Sequence, residues 1–236
     1  MSRDCQHQLH KADGALRISA VIPTYNEEDV IYWAIQYLVS QDIHVHVLDN
    51  ESTDMTPQIV GDFPPSRVSL SSFHTGGEFD EQRQGESIQA VFSDLEARSD
   101  WLIKSDADEF LEAPFLGMSL RQGIEIADLS GFNCIGARGF AFFPMSDEAP
   151  HLPGDDVRKC YDRFKIWDKV DRWTPDIHPE CNELWKVNVF KCRAGVFYLD
   201  PHRVSPLANM VLFPHLFALS LAFVQPEAKL LQMAKT

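Results

Sequence analysis

Two short apolar runs separated by an amphipathic segment constrain most strongly how this chain can fold. The runs are Ile18–Ile22 and Val45–Leu48, and each has the length and composition of a buried β-strand. Between them, apolar residues recur at helical spacing at Val30, Trp33, Ala34, Tyr37 and Leu38. A strand, a helix and a strand within about 30 residues form a βαβ unit. The pattern therefore predicts a parallel sheet with functional loops at the carboxyl ends of its strands.

The junction between the first strand and the helix carries its own signals. Pro23 is predicted to end the strand, and Asn26 is predicted to cap the helix. Three acidic residues, Glu27, Glu28 and Asp29, fall in the first turn, where the helix dipole favours negative charge. Such a junction would leave backbone N–H groups unpaired near the edge of the sheet.

Strands and helices continue to alternate as far as residue 111. Residues 56–66 predict a loop or a short helix, and 68–73 predict a strand. A helix is predicted over 82–98, with one apolar face, and a strand over 101–104. The alternation is typical of an α/β fold with a mostly parallel, Rossmann-like sheet flanked by helices.

The second half of the chain is less regular. Residues 131–143 could form a pair of strands, and residues 187–198 could form a hairpin. The apolar stretch 204–224 is interrupted by Pro206, Asn209, Pro214 and His215. A membrane span needs about 20 uninterrupted apolar residues, so we interpret the stretch first as a packed or interfacial segment.

The acidic composition argues against one class of partner. The chain has 21 Lys and Arg against 35 Asp and Glu, a formal net charge of −14. Binding to nucleic acid needs a basic surface that displaces counterions, so we predict no nucleic-acid partner. An anionic ligand would in turn need a local cation, either Arg, Lys or a metal ion.

Two further features indicate the compartment. Residues 1–17 form a polar tail without the apolar region of a secretory signal. The five cysteines show no CxxC spacing, which favours a reducing environment. We therefore predict a cytoplasmic protein.

Asp106 and Asp108 are the sharpest chemical feature. They follow the apolar strand at 101–104 and precede another apolar stretch. In an extended chain, residues i and i+2 face the same side, roughly 6.6 Å apart. Two such carboxylates can share a hard divalent cation, which could hold a diphosphate. The alternative is a solvated acidic loop.

Asp49 is a second candidate, because it ends the second predicted strand at the edge where α/β proteins bind ligands. Its carboxylate could accept a hydrogen bond from a ring N–H or from sugar hydroxyls. Alternatively, it caps or turns the polar segment that follows, since Asp, Asn, Ser and Thr all bind nearby backbone groups.

Taken together, these segments resemble a known family. VIPTYNEE, VLDNESTD and WLIKSDADEFL, in this order and spacing, resemble family 2 glycosyltransferases with the GT-A fold, within a subgroup marked by DADEFL and DNxSTD. The resemblance implies a GT-A-like domain with residues 1–17 as a tail, residues 18–112 as a nucleotide-sugar-binding half and residues 113–236 as an acceptor-side half. The C-terminus of that half could be truncated.

The resemblance also implies roles for residues at matching positions. Pro23, Thr24, Tyr25 and Glu27 would lie on the nucleotide-binding loop. Asp49 would contact the base, and Arg83 would lie near the nucleotide. Asp106 would contact the ribose or the metal, and Asp108 would bind Mn²⁺ or Mg²⁺ beside the diphosphate.

Two further roles stay open among several residues. An inverting enzyme of this family needs a carboxylate base for the acceptor hydroxyl, with candidates Asp176, Glu180 and Glu183. A late histidine often completes the metal site. His215 is the first candidate, because residues 214–234 resemble the family's C-terminal helix; His202 and His178 are alternatives.

The expected function is transfer of a sugar from a nucleotide diphosphate-sugar to a glycan or lipid-linked acceptor, with peripheral association at the cytoplasmic face of a membrane left open. One alternative is a degenerate relative that binds nucleotide or sugar without catalysis. A nucleotidyltransferase is a weaker alternative, because PTYNEED lacks the Gly-rich, basic loop that holds a triphosphate. A metal phosphoesterase is weaker still, because no second His and Asp cluster is evident.

Overall fold

The computed structural model describes residues 15–76, 80–142, 151–160, 164–165, 185–192, 197–200, 203–205 and 216–220. The strands are β1 (Ile18–Thr24), β2 (His44–Asp49), β3 (Val68–Ser72), β4 (Trp101–Lys104), β5 (Glu109–Glu112), β6 (Cys134–Phe142), β7 (Phe164–Lys165), β8 (Trp185–Lys191), β9 (Phe197–Asp200), β10 (Arg203–Ser205) and β11 (Leu216–Ser220). The helices are α1 (Ile31–Val39), α2 (Thr56–Gly61), α3 (Glu81–Leu95), α4 (Leu120–Leu129) and α5 (Val157–Cys160).

A nine-stranded mixed sheet organises most of the described part of the chain, and β9 and β10 form a separate two-stranded sheet. The strand order of the larger sheet is β3-β2-β1-β4-β8-β6-β11-β5, and β7 pairs with β6. β3, β2, β1 and β4 run parallel to one another. β8 is antiparallel to both β4 and β6, and β11 is parallel to β6, so β6 and β11 run in the direction of β4. The predicted α/β fold, a mostly parallel sheet flanked by helices, is confirmed.

Helices cover both faces of the sheet because the strands are apolar on both sides. In β1, Ala20 and Ile22 pack on the face that carries α1 and α4. Val21 points to the other face, where Phe92 and Leu95 of α3 cover it. Burying a side chain of this size contributes roughly 1.5–3 kcal/mol, so the two cores together hold the strands in a three-layer arrangement.

Pro23 does not end β1. The strand continues to Thr24, and Pro23 lies opposite Leu48 in the register with β2. The carbonyl of Val21 accepts a hydrogen bond from Ser105 on the β4 side, and alternate residues of a strand face the same neighbour. Pro23 therefore faces the position where β4 has already ended at Lys104. No ladder bond is lost there, and proline is tolerated.

Asn26 does not cap the helix either, because α1 begins at Ile31 with Val30 at the N-cap. Asn26 has a φ of 55°, a left-handed conformation that Asn adopts more readily than most residues. Its side chain accepts a hydrogen bond from the N–H of Thr53 instead. Asn26 therefore binds the loop after β2 instead of capping α1.

Two predictions about the second half are wrong. Residues 134–142 form one long strand rather than a pair. The predicted hairpin at 187–198 is absent from the described residues, since β8 belongs to the main sheet and β9 pairs with β10. The reason is that β4 and β6 occupy both edges of β8, so no edge is left for β9.

The late apolar stretch contributes β11, which lies between β6 and β5. Residues 216–220 are therefore packed as a strand, not as part of the helix that the resemblance implied. The strands of the sheet come from both predicted halves, 18–112 and 113–236; the boundaries themselves stay a prediction. No helix in the described ranges is long and apolar enough to cross a membrane.

The sheet must curve strongly near β5. Residues 105–108 connect β4 to β5, yet three other strands separate these two in the sheet. Five Cα steps reach at most about 18 Å, while four strand spacings in a flat sheet need about 19 Å. The connection is also not extended, since the N–H of Glu109 donates to the carbonyl of Asp106 (3.1 Å). Curvature therefore brings β5 back beside the carboxyl end of β4.

Candidate functional site

The carboxyl ends of four neighbouring parallel strands meet at one edge of the sheet. Thr24, Asp49 and Ser72 are level in the registers that join β1, β2 and β3. Lys104 ends β4 opposite Val21 of β1. Ligands of open α/β sheets bind at this kind of edge, so the candidate site lies where the sequence analysis expected it.

Asp49 is held in place on both carboxylate oxygens. Oδ1 lies 3.4 Å from the hydroxyl of Thr24, and Oδ2 accepts a hydrogen bond from the N–H of Ser52 (3.1 Å). Asp49 is 4% exposed. The sequence analysis gave a local turn at Asp49 as the alternative to ligand binding, and the hydrogen bond with Ser52 shows that this turn is present. Asp49 nevertheless lies at the carboxyl edge of the sheet. A carboxylate oxygen has a second acceptor position, so this turn is compatible with a further hydrogen bond.

The backbone N–H groups after β1 are not left for an anion. Three consecutive residues donate to side chains of the loop after β2 and of the start of α2: Asn26 to Ser52 (2.9 Å), Glu27 to Thr56 (2.8 Å) and Glu28 to Asp54 (3.1 Å). The prediction that these groups stay unpaired is wrong, because side chains of the DNESTD loop and Thr56 accept their hydrogen bonds. The two loops instead brace each other and shape one wall of the site. Tyr25 and Glu27, both predicted to bind the donor, lie on this half-buried loop.

A second wall is formed by the segment that follows β3. His74 Nδ1 lies 2.9 Å from Glu51 Oε1, and Thr75 donates to the side chain of Asn50 (3.0 Å). Arg83, at the start of α3, donates to the carbonyl of His74 (3.1 Å). The exposed guanidinium of Arg83 is thus attached to the loop beside Asp49. Its role near a nucleotide stays a prediction. The sequence analysis did not single out His74 or Asn50.

Asp106 and Asp108 follow β4 directly but do not continue it. Residues 107 and 108 form a turn, so the expected extended geometry, with both carboxylates on one side of a strand, is not what the structure has. The turn nevertheless buries Ala107 and leaves both Asp106 and Asp108 half-buried. Both acids therefore follow the carboxyl end of β4 in a turn rather than in an extended strand.

Lys104 is a site residue that the sequence analysis missed. Its Nζ forms an ion pair with Oδ1 of Asp106. The Lys104 side chain is 2% exposed, whereas that of Asp106 is 33% exposed. A signal was available: a lysine stands at the end of the apolar run WLIK, immediately before the acids.

Glu109 begins β5, directly after the turn that contains Asp108. It is buried, and the buried Asn188 of β8 lies 3.5 Å from its Oε2. The Oδ1 of Asn188 has no hydrogen-bond partner. The hydroxyl of Ser105 donates to the carbonyl of Glu109 (3.0 Å). These contacts fasten the turn of Asp106 and Asp108 to β8 and support its shape.

The acids fit a divalent cation only as part of its coordination shell. No group of three or more potential metal-binding side chains occurs in the part of the chain that the structure describes. Asp106 and Asp108 supply hard oxygen ligands, and Mg²⁺ is commonly held by one or two carboxylates together with water and substrate phosphates. The donor set therefore suits a metal that arrives with, or is completed by, a phosphate ligand.

Several predicted residues lie outside the described ranges. They are the base candidates Asp176, Glu180 and Glu183 and the histidine candidates His178, His202 and His215. Their roles stay predictions. The structure describes positions for all the other predicted site residues, and it brings Thr24, Asp49 and Asp106 to one edge of the sheet.

Residues 19–122 match the family described as glycosyl transferase family 2. The matched segment runs from β1 into α4 and so contains Asp49, Lys104, Asp106 and Asp108. The recognition made from the three motifs is confirmed at the level of the family. No curated protein matches the sequence.

Solved structures show a more distant likeness. Glucosyl-3-phosphoglycerate synthase from Mycobacterium tuberculosis, in complex with Mn²⁺, UDP-glucose and phosphoglyceric acid, is 20% identical with a TM-score of 0.37; the match covers 59% of this chain and 49% of that one. Mannosyl-3-phosphoglycerate synthase from Rubrobacter xylanophilus is 19% identical with a TM-score of 0.38, over 56% of this chain and 43% of that one. This chain spans less than half the length of either structure.

Proposed function

We propose that this protein is a metal-dependent glycosyltransferase. It moves a sugar from a nucleotide diphosphate-sugar to a hydroxyl group of a glycan or lipid-linked acceptor, with inversion at the anomeric carbon. One observation supports the proposal: within the segment that matches glycosyl transferase family 2, Asp49 ends β2, and Asp106 and Asp108 follow the end of the parallel strand β4, at the kind of edge where open α/β sheets bind ligands.

The nucleoside would lie against the braced loops at the ends of β1 and β2. Asp49 is preorganised to accept a hydrogen bond from a ring N–H of the base. Pro23, Thr24, Tyr25 and Glu27 would form the wall beside it. Arg83 would bring positive charge to the nucleotide from the other side, where it is attached to the loop that follows β3.

Charge is the main obstacle to binding such a donor. A protein with a formal net charge of −14 repels a diphosphate unless cations lie in the site. Asp106 and Asp108 would hold Mn²⁺ or Mg²⁺, with His215, or else His202 or His178, as a further ligand. When bound, the ion supplies positive charge that offsets the charge developing on the departing nucleoside diphosphate.

The chain's own catalytic task is to activate the acceptor. A carboxylate, either Asp176, Glu180 or Glu183, would take the proton of the acceptor hydroxyl. At the same time the oxygen of that hydroxyl would bond to the anomeric carbon of the donor. The bond from that carbon to the diphosphate oxygen breaks on the opposite face, which inverts the configuration. The reaction needs no covalent intermediate with the protein.

The expected setting is the cytoplasm, where the acceptor would arrive in solution or at the cytoplasmic face of a membrane to which the protein binds peripherally. The described cysteines Cys134, Cys160 and Cys192 are free thiols, which agrees with a reducing compartment.

A panel of nucleotide sugars tests the proposal. The purified protein is incubated with UDP-, GDP-, ADP- and dTDP-sugars and Mn²⁺, and release of the nucleoside diphosphate is measured. We expect one donor to be hydrolysed slowly, with no release in EDTA or in the Asp106→Asn/Asp108→Asn variant. Metal-dependent binding without release would instead favour a non-catalytic nucleotide-binding relative. Absence of nucleotide binding across the panel would contradict both functions.

A further inference from the structure

The ion pair between Lys104 and Asp106 is unusually asymmetric. The ammonium group is enclosed at the end of a strand whose three preceding residues, 101–103, are fully buried. Its partner Asp106 lies at the surface of the candidate site and is 33% exposed. A buried charge is costly unless it is paired. The charged form of Lys104 is therefore stabilised by Asp106, and Asp106 in turn has a fixed positive charge next to it.

This arrangement changes the charge that a ligand meets. Asp106 and Asp108 alone would present two negative charges to a cation. With Lys104 included, the net charge of these three side chains is one negative charge, and the buried Glu109 next to them adds a second. At the effective dielectric of a partly buried site, one unit charge within a few ångströms alters an ionic binding constant by about tenfold or more. A divalent ion by itself is thus held less tightly than two adjacent carboxylates would hold it.

We propose that Lys104 is a positioning residue that couples metal binding to nucleotide binding. Its ammonium orients Asp106 through Oδ1 and weakens the attraction of the site for a free divalent ion, so that the ion binds mainly together with a diphosphate. The same positive charge reduces the repulsion between these acids and a diphosphate before the metal is present. The inference rests on the proposed function, because it assumes that the edge binds a nucleotide diphosphate.

Lys104→Met tests the inference, because it removes the charge and keeps much of the side-chain volume. Mn²⁺ binding without nucleotide is measured by electron paramagnetic resonance of the free ion. UDP binding with and without Mn²⁺ is measured by calorimetry. We expect Mn²⁺ alone to bind about tenfold more tightly in the variant, and UDP alone about tenfold more weakly. A residue with a purely structural role would not strengthen metal binding when it is removed.

Lys191→Met is the matched control. Lys191 forms an ion pair with Asp128 (2.6 Å) and lies opposite Trp101, at the other end of β4. Its loss changes the net charge of the protein equally and also breaks an ion pair. We expect Lys191→Met to leave both Mn²⁺ and UDP binding within about twofold of wild type. Lys104→Gln, which keeps a hydrogen-bond donor near Asp106, repeats the charge change if Lys104→Met does not fold.

The wild-type protein provides a test that needs no variant. Mn²⁺ should bind at least about tenfold more tightly in the presence of UDP than in its absence. Equal Mn²⁺ affinity with and without UDP would overturn the inference. So would unchanged or weaker Mn²⁺ binding in the folded Lys104 variants while the wild type still binds UDP with Mn²⁺. If the wild type binds no nucleotide under any condition, the proposed function itself fails.

Discussion

The hydroxyl group of Thr24 lies 3.4 Å from Oδ1 of Asp49, across the parallel pair formed by β1 and β2. Each residue is the last of its strand, and the two are level in the register. Both are buried. A carboxylate held in one orientation before a ligand arrives loses little conformational freedom on binding. The pair therefore makes Asp49 a rigid acceptor at the edge of the sheet.

Asp49→Asn should weaken nucleoside binding more than metal binding. Asn keeps only one acceptor oxygen, and the N–H of Ser52 already binds one oxygen of Asp49, so the other position becomes an amide nitrogen that cannot accept from a ring N–H. Loss of such a bond in a buried site weakens affinity by about tenfold. Calorimetry with UDP and, separately, with Mn²⁺ measures the two affinities. Asp62→Asn, at an exposed position of similar charge, serves as the control. Equal affinity of the wild type for nucleotides with different bases would speak against a base contact by Asp49.

Asp108→Asn should abolish the part of nucleotide binding that depends on a divalent ion. The substitution removes one of two carboxylates beside β4 and leaves a neutral side chain of the same shape. Calorimetric titration of UDP with and without Mn²⁺ measures the effect, and Asp94→Asn, exposed on α3, is the control. If Mn²⁺ enhances UDP binding equally in the variant and the wild type, Asp108 is not a metal ligand.

His46 should make the fold less stable in mild acid. Its ring nitrogens contact the hydroxyls of Ser69 (2.9 Å) and Ser71 (2.7 Å). Burial, followed by the positive charges of His44 and Arg98, lowers the pKa of His46 to about 4, while Asp94 acts in the opposite direction. The unfolded chain, with an ordinary pKa near 6.5, binds the proton more readily.

Because the folded pKa is depressed, the contribution of His46 is complete above about pH 6.5 and is lost as the pH falls toward 4. We expect it to amount to roughly 1–3 kcal/mol of the free energy of unfolding. Urea unfolding of the wild type and His46→Asn between pH 7.5 and 4.5 measures it, with a shallower pH dependence expected in the variant. Identical slopes would assign the acid sensitivity to other groups.

Ser119→Ala should destabilise α4. The hydroxyl of Ser119 accepts a hydrogen bond from the N–H of Gln122 (3.1 Å), and the N–H of Ser119 donates to Oε1 of Gln122 (2.9 Å). Loss of such a cap costs about 1 kcal/mol, which corresponds to a fall in melting temperature of about 2–4 °C for a domain of this size. Ser130→Ala, at the other end of the helix, should change the melting temperature by less than half as much.

Much of the candidate site could be predicted from the sequence. The predicted strand 101–104 has the bounds of β4, because the apolar run WLIK is sharply bounded by polar residues. The two strands of the βαβ unit were also predicted, and parallel pairing then places Asp49 and Asp106 at one edge without any knowledge of the coordinates. The predicted role of Asn26 as a helix cap was wrong. Its side chain can bind either the helix or the neighbouring loop, and the residues around it in the sequence do not determine which.

The order of apolar runs and the acids that follow them were determined by the sequence itself, since strand and helix periodicity is written in neighbouring residues. Only the tertiary structure decided which edges the later strands occupy and which charge stands behind Asp106. β8 could pair with β9 by its own sequence, but β4 and β6 occupy both of its edges. The position of Lys104 against Asp106 likewise depends on a turn fastened by Glu109 and Asn188. Such choices depend on contacts between residues about 80 positions apart, whose closeness arises only when the whole sheet has assembled.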